Sequence, residues 1–139
     1  MAKAPYKRGT LLIPSGPSND PDRMHLFVVC SDPCDQLKVA IVPLATYTND
    51  LCDQTCLVFA GEHAFVQRKS YVLYRNARII GCEEISRGIA NGTLRTHDDL
   101  NAQTFLKVKN GICRSPNTPR KVKTYLNCPE QEFRTQGGS

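Results

Sequence analysis

The chain has 139 residues, 40% of them hydrophobic and 22% charged, with a formal net charge of +5. A chain of this length holds one domain, which buries roughly 65–70% of the surface its unfolded form exposes and so needs no staple. This composition excludes disorder as the general state of the chain, and no apolar run approaches the ~18–20 residues of a membrane span. Basic residues near the N-terminus precede no apolar segment, because Leu11, Leu12 and Ile13 run into Pro14. No secretory signal or membrane partner is expected, and the location read from the sequence is cytoplasmic.

Residues 8–14 read as a first strand that begins after Gly9 and stops at Pro14. Residues 15–23 are crowded with Gly, Pro, Asn and Asp, which supply turn geometries and refuse ladder pairing. Residues 25–30 form a β-rich strand, and residues 31–36 turn it. The near-continuous apolar run of 38–44 predicts a strand buried on both faces. Further short strands follow at 55–59, 70–74 and 77–80, with Gly61 marking a turn between the first two. Short strands at this spacing argue for a small barrel or sandwich.

Past Gly92 the pattern becomes helical. Thr96 is positioned to cap a helix, with Asp98 and Asp99 in its first turn. Leu100, Thr104, Phe105, Val108 and Ile112 then recur at helical spacing, until Gly111 and Pro116 end the run. Residues 116–119 read as a linker, and 136–139 as a disordered end. Within the basic stripe 119–125, Lys121 and Lys123 flank the path to Tyr125, a combination suited to phosphate contact and base stacking.

The seven cysteines (30, 34, 52, 56, 82, 113, 128) are odd in number and partly embedded in apolar runs, which favours buried reduced thiols. The paired spacings 30/34 and 52/56 also permit a zinc site, and disulfides are the least favoured alternative. No metal or cofactor is assigned.

The densest polar and aromatic stretch runs from 61 to 78. His63 is its general acid/base candidate, because imidazole titrates near neutrality. Arg68, Lys69 and Arg75 suit a phosphate, while Ser70, Tyr71 and Tyr74 offer hydroxyls and, in the tyrosines, stacking faces. His25 opens a buried strand behind the polar loop that ends at Arg23. For each, the alternative is structural: a turn histidine, solvated cations and tyrosines packed on the sheet.

Several motifs together resemble the MazF/PemK toxin family, over roughly residues 7–113. They are the opening Arg8, Gly9, Thr10; the strand ending before Ser31, Asp32, Pro33; the run Val42, Pro43, Leu44, Ala45, Thr46; residues 56–61; Gly92 and Thr93; Asp98 to Leu100; and residues 106–112. The resemblance implies a mostly β fold: a small SH3-like β-barrel closed by a C-terminal α-helix, occupying residues 1–113, with 114–139 as a basic extension. It further implies a metal-independent endoribonuclease that acts on single-stranded RNA as a homodimer and is neutralised by an antitoxin protein. In that family an arginine opens the second strand and a threonine sits in the Val-Pro turn. Here Met24 or His25 takes the first place beside Arg23, and Ala45 takes the second beside Thr46; Tyr74, beside Arg75, stands where a later acidic residue is expected. The expected catalytic set is therefore His25, Thr46, His63 and Arg75. Arg23, Arg68, Lys69, Ser70, Tyr71, Tyr74, Lys121 and Lys123 are the expected RNA contacts. The other reading is a catalytically silent barrel that binds protein or nucleic acid through the same groove.

Overall fold

A computed structural model describes residues 7–15, 19 and 23–129, so the expected disorder of 136–139 lies outside the described residues. Among the described residues there are seven strands: β1 (Thr10–Pro14), β2 (Met24–Val29), β3 (Lys38–Thr46), β4 (Leu57–Val58), β5 (Ser70–Val72), β6 (Arg78–Gly81) and β7 (Arg95–His97). Three helices accompany them: α1 (Cys82–Ala90), α2 (Ala102–Arg114) and α3 (Arg120–Tyr125). The fold is mostly β, and every strand pairing is antiparallel. The strand path runs β4-β5-β3-β2-β1-β7, with β6 also on β3; among the described residues its two ends do not pair.

The alternation along the central strands explains their uninterrupted apolar sequence. Leu12, Leu26, Val28, Val42 and Leu44 enter one buried cluster, covered by Phe105, Val108 and Ile112 of α2. Leu11, Ile13, Phe27, Val29, Val39 and Ile41 enter a second on the opposite face, covered by Cys82 and Ile85 of α1. A period of two places successive side chains on opposite faces, so strands sandwiched between helices must be apolar at every position.

β3 organises the sheet. One of its edges pairs with β2 only as far as Phe27↔Pro43. Its other edge carries β6 along Lys38–Ile41 and β5 along Leu44–Thr46. Between β5 and β6 the chain leaves the ladder in a single 3-10 turn over Tyr74–Asn76. This turn drives Tyr74 into the core, where it is fully buried. Its hydroxyl donates to the Val108 carbonyl of α2 at 2.7 Å, satisfying a group that would otherwise be stranded.

The helix boundaries differ from the sequence reading. Thr96 does not cap a helix; it pairs with Leu11 in the β1–β7 ladder. The cap of α2 is Asn101, whose side chain accepts the Thr104 N–H at 2.8 Å. Asp98 and Asp99 therefore precede the helix instead of filling its first turn. The helix α1 was unforeseen, although Ile85 and Ile89 share a face and Glu83 pairs with Arg87 at i,i+4.

The described part of the basic extension is folded onto the rest. Val122 of α3 is fully buried in the first cluster, and the Tyr125 hydroxyl donates to the Lys38 carbonyl at 2.8 Å. A disulfide joins Cys113, at the end of α2, to Cys128, with the Cα atoms 5.4 Å apart. The expectation of reduced thiols fails for this pair. It fits Cys30, Cys56 and Cys82, which are free and buried, while Cys34 and Cys52 are free and half-buried. The spacing pairs 30/34 and 52/56 thus each split between core and periphery. Among the described residues no group of three or more His, Cys, Asp or Glu is placed to hold a metal. Nor is any described helix long and apolar enough to cross a membrane.

Gly111 gives α2 its close approach to Tyr74. A Cβ there would fall on the tyrosine hydroxyl and ring carbons. Helix propensity favours Ala over Gly by about 1 kcal/mol, whereas overpacking a rigid core site costs about 1–3 kcal/mol or more. The ring is fully buried with its hydroxyl committed, so the clash wins. Gly111→Ala is expected to lower the urea midpoint, with Asn110→Ala, on the exposed side of the same turn, as the near-neutral control.

Candidate functional site

The β2–β3 ladder stops at Phe27↔Pro43. Beyond it the strands part company. β2 continues against β1, with Leu12↔Leu26, Ile13↔His25 and Pro14↔Met24, whereas β3 continues against β5, with Leu44↔Val72 and Thr46↔Ser70. The gap between them opens as a cleft of about 630 Å³, whose third wall is the segment 65–68. Its lining includes apolar Met24, Leu26, Leu44 and Val66, and polar Arg23, His25, Thr46, Thr48, Gln67, Arg68 and Ser70.

Five of the residues singled out in the sequence, from position 23 to position 70, thus meet here: Arg23, His25, Thr46, Arg68 and Ser70. Ser15 holds His25 by one ring nitrogen. The Ser15 hydroxyl donates to the Ile13 carbonyl at 3.3 Å and lies 2.9 Å from His25 Nδ1. In the tautomer whose Nδ1–H the Ser15 oxygen accepts, Nε2 is the basic nitrogen. Burial, and then the Arg23 charge, lower the His25 pKa below its ordinary 6.5. The ring is neutral at neutral pH, as a general base requires. The Ser70 hydroxyl donates to the Arg68 carbonyl at 3.0 Å and holds the third wall against β5.

The other predicted residues lie elsewhere. His63 is only 5% exposed and does not line this cleft. Its Nδ1 accepts the Phe65 N–H at 3.0 Å, so Nε2 carries the proton, donated to the Asp98 carbonyl at 2.7 Å. Both ring nitrogens are occupied by the backbone. Tyr74 is the core pillar described above. The Lys69 ammonium sits 4.0 Å from the Tyr47 ring centroid, a cation–π contact. Lys121 is exposed and Lys123 half-buried on α3.

Tyr71 and Arg75 line a second cleft of about 380 Å³, together with Thr48, Asn49, Cys52, Asp53 and Asn117. Ser70 and Tyr71, neighbours in β5, thus face different clefts, and Thr48 touches both. Burial raises the Asp53 pKa, but hydrogen bonds from Thr55, Ser115 and Asn117 outweigh it and hold the carboxyl below its usual value. Backbone hydrogen bonds at Asn49 and Thr48, then the Thr48 hydroxyl 3.5 Å away, stabilise the Cys52 thiolate and lower its pKa to about 7. Sequence reasoning gave Phe65 and Gln67 no role and weighed Cys52 only as a reduced thiol or half of a possible zinc pair. Phe65 and Gln67 lay within the stretch recognised as dense, while nothing in the spacing set Cys52 apart from the other thiols.

No family model matches the chain, and no curated protein matches it.

Cys52 is expected to be the fastest thiol to alkylate. Its rate of iodoacetamide labelling, followed by peptide mass spectrometry, should rise through a midpoint near pH 7. Cys30, buried and pushed up to about 12, should remain unlabelled in the folded protein.

Proposed function

We propose that the chain is a MazF/PemK-like, toxin-type endoribonuclease that binds single-stranded RNA in the cleft between β2 and β3. The observation that supports this reading is the convergence of Arg23, His25, Thr46, Arg68 and Ser70 on one concave site. Two guanidiniums beside hydroxyls and a neutral imidazole match the needs of a phosphodiester, since arginine presents a fork fitted to phosphate. On this reading His25 Nε2 takes the proton from a ribose 2′-hydroxyl, and the oxygen attacks phosphorus. The bond to O5′ then breaks, and the leaving oxygen takes a proton from water in the open cleft. A 2′,3′-cyclic phosphate and a 5′-hydroxyl result, with no metal needed. Arg23 and Arg68 stabilise the charge on the phosphorane, and Thr46 and Ser70 position the phosphate.

The family reading also carries an SH3-like barrel for residues 1–113, a cytoplasmic homodimer and an antitoxin partner that occupies the same groove. A second reading, a silent barrel that binds nucleic acid or protein without cleaving it, is favoured by the separation of His63, Tyr74 and Arg75 from the cleft. It keeps the cleft and assigns His25 no proton transfer.

Incubation of the pure protein with mixed-sequence RNA in EDTA separates the two. Wild type should cleave, and His25→Gln should lose about 10²-fold or more in kcat/KM. Because the base works in its neutral form, cleavage should rise with pH through a pKa below 6.5 and then level off. Arg68→Ala should weaken binding to all sequences and reduce the salt slope by about one. RNA left intact from pH 5 to 9 defeats the nuclease reading, and salt-sensitive binding without cleavage establishes the silent one.

A further inference from the structure

The third wall of the cleft is unusually well fastened for a surface turn. The Phe65 N–H is bound to His63 Nδ1 at 3.0 Å and the Val66 N–H to the His63 carbonyl at 2.9 Å. The Gly61 N–H closes the turn on the Val66 carbonyl, and Gly61 has the positive φ of 95° that the reversal requires. The buried His63 ring ties this turn to the Asp98 carbonyl. Glu62 ties it to α2, accepting the Thr104 hydroxyl at 2.7 Å and pairing with Lys107 at 3.0 Å. Glu62 also accepts the Phe59 N–H at 2.8 Å, fixing the start of the turn.

What this turn presents is an aromatic ring and an amide. Phe65 lines the cleft and remains 38% exposed, braced by an edge contact to His97 with ring centroids 5.9 Å apart. Gln67 also lines the cleft, and its Nε2 donates to the Ala64 carbonyl at 3.2 Å. That bond uses one amide proton, leaving the second N–H and Oε1 as an oriented donor–acceptor pair. Arg68, the next residue, lines the same wall. A flat apolar ring, an edge-reading amide and a cation follow one another within four residues on a preorganised support.

We propose that Phe65 and Gln67 form the base-binding subsite of the cleft: one unpaired nucleobase stacks on the Phe65 ring while its edge bonds the Gln67 amide. This rests on the RNA-binding half of the proposed function and is independent of whether cleavage follows. Every base has a π-face, so Phe65 supplies affinity across sequences. The amide reads a base edge, so Gln67 supplies preference among them. A ring already held in place loses little freedom on binding, which favours an affinity role for an otherwise exposed phenylalanine. His63 is then a positioning residue, acting through the turn that carries Phe65.

The test measures anisotropy of fluorescent RNA heptamers on the full-length protein at two salt concentrations. One probe carries mixed bases, the second has the same backbone with its bases removed, and four homopolymers complete the set. Phe65→Ala should weaken the mixed-base probe about 5- to 100-fold, leaving its salt dependence and the abasic affinity unchanged. Phe65→Trp should restore binding, and Phe65→Leu, which keeps apolar bulk in the turn, should fail to do so while melting like wild type. Gln67→Ala should flatten the ranking of the homopolymers. If wild type binds mixed-base and abasic probes equally, or if Phe65→Ala and Phe65→Leu both bind like wild type, the subsite is overturned and RNA binding stands. If wild type binds none of the probes, the RNA reading itself fails and the subsite falls with it.

Discussion

The structure depends on the two edges of β3 being used differently. One edge is fully occupied, by β6 and then β5, with the Tyr74 turn inserted between them; the other is paired with β2 for only three residues. Pro43 lies at the change. Its carbonyl accepts the Leu73 N–H at 2.9 Å, and its missing N–H lies on that same edge, at the break between β6 and β5. A strand buried on both faces can leave one edge unpaired only where something other than protein backbone reaches it, and here that is the cleft.

The same arrangement distributes polar groups without waste. Tyr74, fully buried, finds the Val108 carbonyl because α2 crosses above it at Gly111. His63, nearly as buried, has both nitrogens satisfied by main chain. Among the described residues only the Thr118 hydroxyl is buried without a partner. The side chains that look most chemical in the sequence are thus split into two groups. Arg23, His25, Thr46, Arg68 and Ser70 border the cleft and Arg75 a second one, while Tyr74 and His63 brace the structure.

This division marks how far the sequence was legible. Strands 1 to 3 were readable because burial on both faces leaves an apolar run that polar loops interrupt. The residues flanking the β2–β3 gap were also readable, since Arg23, His25 and Thr46 border strand ends where loops meet the sheet. Tyr74 was not, because its burial comes from one 3-10 turn and leaves no periodic trace. Thr96 and Asn101 are both competent caps, five residues apart, and the choice between them was made by β1, whose edge claimed residues 95–97. The bridge between Cys113 and Cys128 was hidden for a similar reason: seven cysteines admit many pairings, and only the return of α3 over the core brings these two together.

The divergence of β2 and β3 has a mechanical consequence. The two strand walls of the cleft belong to ladders that are joined only through β3 itself, one continuing through β1 to β7 and the other through β5 to β4. A molecule that contacts both walls works as a removable cross-brace, supplying across the gap the connection that the backbone does not make beyond Phe27↔Pro43. Its binding energy then appears as resistance of the whole sheet to unfolding, in proportion to the logarithm of its concentration. Occupancy of the cleft and lifetime of the fold become one coupled quantity, so the empty protein is the form most exposed to proteolysis.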